Sequence, residues 1–121
     1  MRLSGFLTFA SVLALLFGIC FLVAPAAALA QYGVDPTSAT ILMTRFFAAA
    51  LLQTGVLLWL GRHVEDPHAR RFIVVSGFVG SVVGAAIAVT GELAHTVNAL
   101  GWSTVAIYVI FVLGYGYFMR A

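Results

Sequence analysis

The chain has 121 residues, 63% of them apolar and only 8% charged, and its mean hydropathy is +1.10. Ordinary soluble domains carry about a quarter charged residues, so this composition excludes a water-facing globule and places the chain in a bilayer. The net charge of +2 comes from six scattered arginines, which excludes a basic nucleic-acid surface, and the lone Cys20 excludes a CxxC dithiol centre.

A membrane helix needs about 20 apolar residues. The pattern predicts four, at about 5–29, 39–60, 72–91 and 100–119, with connections of about ten residues that leave no room for an extramembrane domain. The expected fold is all-α: a single transmembrane domain over 1–121, built as an antiparallel four-helix bundle.

The first segment opens like a secretory signal, with Arg2, an apolar run and Ala28-Leu29-Ala30 before Gln31. The run from Phe6 to Ala24 exceeds the usual signal core, so a retained helix is expected, kinked or ended by Pro25. Bulky Ile19 before Cys20 does not suit a lipoprotein site, which leaves Cys20 as a small packing or lipid-facing residue. Ser11, Ala14, Gly18 and Pro25 form a small-residue seam. Asp35-Pro36-Thr37-Ser38 then supplies a cap and an early proline for the second helix.

Helix 2 presents Arg45, Ala48, Leu52, Gly55 and Trp59 along a second seam. Arg45 lies about 9 Å inside the helix start. A charge near the bilayer centre costs about 2.5–3.5 kcal/mol on insertion scales, so a partner or a route to water is expected. Glu92 is the first candidate and Asp35 the second; snorkelling of the long stem is the alternative. Gln53, near the middle of the helix, is expected to hydrogen-bond across to a neighbour.

The arginines set the orientation. Arg2, Arg62, Arg70, Arg71 and Arg120 cluster at the termini and the 61–71 loop, and the positive-inside rule puts all three in the cytoplasm of a multi-pass membrane protein. Asp66-Pro67 can start the third helix before its apolar part begins.

Helix 3 carries Gly77, Gly80, Gly84, Ala88 and Gly91 at spacings of three and four, and Gly80 to Gly84 is a GxxxG step that serves either intrachain packing or self-association. Beyond it Glu92, His95 and Asn98 share a face on a continuous helix. ExxH can supply two metal ligands, but diiron bundles need further carboxylates, so no metal is expected and His95 reads as capping a helix end or facing water. Bis-histidine haem is excluded because His63 and His68 lie in the other loop. Helix 4 aligns Tyr108, Phe111, Tyr115 and Phe118, a stripe that reads as packing rather than a quinone platform, while Trp102 and Tyr117 suit interfacial belts. No cofactor is expected.

Pro25, Tyr32-Gly33, Asp35-Pro36, Arg45 and Asn98-Ala99-Leu100-Gly101-Trp102 follow an order that resembles the small bacterial four-helix membrane proteins of the DoxX-like group. The resemblance implies a four-helix membrane fold and, from some relatives, an accessory place beside quinone-linked redox complexes. The function expected is a non-catalytic accessory or interaction subunit whose partners are the lipid bilayer and other membrane subunits or a second copy. Two alternatives stand beside it. One is a small transporter or channel using Arg45, Gln53 and Glu92; the other is a quinone- or cofactor-associated redox subunit using His95, Arg45 and the Tyr108/Tyr115 face.

Overall fold

The structure, a computed structural model, describes residues 2–120. They form five helices and no strand: α1 Leu3–Val23, α2 Pro25–Gln31, α3 Ser38–Gly61, α4 Pro67–Leu93 and α5 Gly101–Arg120. All but α2 are long and apolar enough to cross a membrane. The chain divides into two compact units, one ending at His63 and one beginning at Val64.

In the first unit, the single helix expected over 5–29 is two. Pro25 has no N–H to continue the α1 ladder, so Ala24 leaves the helix at φ −132°, ψ 60° and Pro25 restarts it as the first residue of α2. Gly33 ends α2 in the left-handed region at φ 73°, where Val34 N–H donates to the Leu29 carbonyl and Gly33 N–H to the Ala30 carbonyl. This is a Schellman cap at glycine. Thr37 then caps α3, its hydroxyl accepting from the Thr40 N–H at 3.2 Å.

Helices α1 and α3 run antiparallel and interlock through glycine. Leu52 of α3 fills the space at Gly18, where an added Cβ would lie 3.0 Å from its side chain, and Leu15 of α1 fills the space at Gly55, where a Cβ would come within 2.7 Å. Fully buried Ser11 donates its hydroxyl to the Gly55 carbonyl at 2.7 Å, across the same contact. The backbones approach because the side chains between them are absent or short.

In the second unit, Asp66 accepts from the His68 N–H at 3.1 Å and Pro67 occupies the first helical position, so α4 starts one turn ahead of its apolar run, as the Asp-Pro pair predicts. The helix ends at Leu93. Thr96 N–H donates to the Gly91 carbonyl and His95 N–H to the Glu92 carbonyl, a second Schellman cap, here with His95 at φ 55° in the place glycine usually takes. Helix α5 returns antiparallel, with Tyr115 seated in the notch at Gly77 and Tyr108 in the notch at Gly84.

Candidate functional site

The residues singled out from the sequence fall at three places. On α3, Ala48, Gly55 and Leu58 are buried against α1, but Arg45 is exposed. A step of three residues turns a helix by about 300°, so Arg45 sits about 60° round from Ala48 and off the seam it was expected to share. Asp35 is also exposed, and the two form no ion pair among the described residues of this unit. Gln53 is exposed and hydrogen-bonds to no other helix of its unit. The amide points away from the α1 contact, which glycine and leucine fill. Trp59 is likewise turned outward, and its ring carries the Arg62 guanidinium 3.9 Å from the centroid. An aromatic cluster that the sequence did not announce closes the α2 end of the unit: Phe21 lies 5.7 Å from Phe47, 6.0 Å from Phe17 and 6.4 Å from Tyr32, centroid to centroid.

At the α4–α5 turn, the helix does not continue far enough to put Glu92, His95 and Asn98 on one face. The chain leaves the helix after Leu93, and the left-handed turn at His95 sends that imidazole to the surface while Glu92 stays 7% exposed. Asn98 is drawn into the turn instead, its Oδ1 accepting from the Leu100 N–H at 3.0 Å. Gly101 makes the room for Glu92, because a Cβ there would collide with Oε1. The first-turn amides of Gly101, Trp102 and Ser103 are already bonded to the carbonyls of Asn98, Ala99 and Leu100. Oε1 of Glu92 is therefore buried with no hydrogen-bond donor among the described residues. An unsatisfied buried acceptor of this kind costs about 1–3 kcal/mol, more for a charged group. No group of three or more His, Cys, Asp or Glu residues able to hold a metal is found among the described residues.

Along α4 the predicted packing glycines divide. Gly77 and Gly84 receive tyrosine rings, while nothing approaches the Cβ positions of Gly80 and Gly91. The two halves of the GxxxG step thus face different surroundings. The aromatic stripe of α5 is spent on this packing: Tyr115 and Phe118 are buried, and Phe111 meets Tyr115 edge-on at 6.3 Å.

The third place was not singled out. A cleft of about 240 Å³ opens where α4 begins and α5 ends, lined by Glu65, Arg70 and Arg71 on its polar side and by Val74, Val75, Phe118 and Met119 on its apolar side. The sequence signal is an arginine pair immediately before an apolar run, but the opposite wall follows only from the α4–α5 register. Gly77 opposite Tyr115 and Gly84 opposite Tyr108 bring Phe118 level with Val74. Comparison with protein-family models, with curated proteins and with solved structures finds no match to this chain.

Proposed function

We propose that this chain is a small multi-pass membrane protein of the DoxX-like type. In this reading it is a bacterial inner-membrane accessory or interaction subunit that acts by contact rather than catalysis. Its two hairpins form one antiparallel four-helix domain with both termini in the cytoplasm, and its partners are lipid and either another membrane subunit or a second copy.

The observation that carries the reading is Gln53. Its amide is exposed about 5 Å past the midpoint of a membrane-crossing helix and is bonded to nothing in its own unit. A carboxamide facing hydrocarbon is unfavourable, and the usual remedy in a bilayer is a hydrogen bond to another helix, worth about 0.6–2 kcal/mol. Arg45 and Glu92 support the same reading. Each lacks a partner in its own unit, their charges are opposite, and pairing would relieve the donorless Oε1.

The test is purification of the full chain in mild detergent with mass measurement of the intact assembly. The expected result is a stable companion chain or homo-oligomer that Gln53→Leu loosens at least several-fold, on the scale of one intramembrane hydrogen bond. A monomer indifferent to Gln53→Leu would falsify the interaction role. The same exposed amide favours a polar path as the second reading. Rapid labelling of Gln53→Cys by a water-soluble maleimide is the result that would replace contact with transport.

A further inference from the structure

We propose that the cleft between the start of α4 and the end of α5 binds the phosphodiester headgroup of a membrane phospholipid, one whose headgroup alcohol keeps a hydrogen-bond donor. The site lies wholly within the second unit and is independent of the accessory role argued above.

Its position is set by length. Helix α4 begins at Pro67, whereas its charge-free stretch begins at Phe72, so Arg70 and Arg71 stand at the boundary between hydrocarbon and headgroups. Neither guanidinium is committed elsewhere: among the described residues both lack a salt bridge, although Glu65 lines the same cleft. Arginine presents a planar fork of donors that matches two phosphate oxygens, and at the headgroup boundary lipid phosphates lie within its reach. Basic pockets at the mouth of transmembrane helices hold lipid phosphates for this reason.

Charge and shape narrow the ligand. Two arginines and one glutamate line the cleft, leaving one net positive charge, the complement of a singly charged phosphodiester. The remaining carboxylate can only accept. Glycerol or ethanolamine headgroups have an O–H or N–H to give Glu65, whereas the quaternary ammonium of choline has none. One helical turn deeper, about 6 Å along α4, Val74 and Val75 face Phe118 across an apolar floor. A free phosphate gains nothing from that floor. The first carbons of an acyl chain do, since each buried methylene contributes about 0.8 kcal/mol.

The experiment uses the full chain, delipidated in maltoside detergent, with thermal unfolding followed as dioctanoyl phosphatidylglycerol, phosphatidylethanolamine, phosphatidylcholine or inorganic phosphate is added. Phosphatidylglycerol and phosphatidylethanolamine are expected to bind at least about tenfold more tightly than phosphatidylcholine, and inorganic phosphate is not expected to displace them. R70Q/R71Q is expected to weaken phosphatidylglycerol about tenfold, and E65A, which removes the acceptor, to abolish the preference over choline while leaving the arginines in place. R62Q/R120Q removes the same charge outside the cleft and is expected to change affinity by less than about twofold. Equal binding of choline and glycerol headgroups by the unaltered chain overturns the proposal. So does displacement by millimolar phosphate, or a loss in R62Q/R120Q as large as in R70Q/R71Q. If R70Q/R71Q does not fold, E65A still decides: loss of the preference over choline supports the proposal, and a preference that persists overturns it.

Discussion

His95 holds a left-handed backbone that costs an L-residue about 1–2 kcal/mol, in a cap where glycine is the usual occupant. Replacing it is therefore expected to help: His95→Gly should raise stability in detergent by about 1 kcal/mol, read as an upward shift of the melting midpoint. No change would mean that the imidazole has an energetic role the turn does not show. The neighbouring Gly101 behaves in the opposite way. Its missing Cβ is space that Glu92 Oε1 and the Val97 side chain close on, so Gly101→Ala should destabilise by about 1–3 kcal/mol, and part of that loss should vanish in an E92A background, where the carboxylate is gone and the Val97 contact remains. Little of this was legible beforehand. Left-handed caps are announced by glycine or asparagine, as Gly33 shows, and a histidine in that place carries no such signal. Glu92 and His95 read as one face only while the helix is assumed to continue.

At the scale of elements, both hairpins are held by large side chains set into glycine notches, and the spacing explains the pairing. Gly77 and Gly84 are seven residues apart on α4, as are Tyr108 and Tyr115 on α5, so an antiparallel register near the 3.5-residue repeat lets each ring meet its notch. Gly84→Ala is expected to destabilise the protein by about 1–3 kcal/mol through overpacking against the Tyr108 ring. Gly80→Ala, four residues away in open space, should be neutral or stabilising by up to about 1 kcal/mol from helix propensity. Equal losses at both positions would mean that Gly80 is covered by something outside its own hairpin. In the first unit, Ser11→Ala removes the hydroxyl bridge to the Gly55 carbonyl and should cost about 0.6 kcal/mol, a typical intramembrane value. The number of membrane-length helices, the early start of α4 and the small-residue character of the contacts all follow from pattern. Which glycine of the GxxxG step packs inward does not, because spacings of three and four stay near one face and only the partner helix decides between them.

For the whole molecule, between 11% and 33% of the most apolar window of each crossing helix is buried. The rest is apolar surface that a bilayer or further helices must cover. The proposed Arg45–Glu92 pair belongs to this scale, because it would join one unit to the other. Glu92→Gln is expected to lower the melting midpoint in detergent, and Arg45→Met in the same background to recover much of the loss; a double variant no better than either single change would remove the coupling. Composition sufficed for the bilayer, and the lengths of the apolar segments for four candidate crossings. The arginine cleft escaped notice because Arg70 and Arg71 serve equally well as topology markers, and only the fold brings Phe118 to their side.

The two Schellman caps carry a consequence for the surface turns. Glycine at one and histidine at the other leave the same bonding, so the amides of Val34 and Thr96, though beyond the last helical residue, remain tied to carbonyls five residues back. In deuterated buffer these two protons should exchange at the pace of the adjoining helix ends rather than of open loop. Each turn would then present a stiff edge to whatever approaches it from the water.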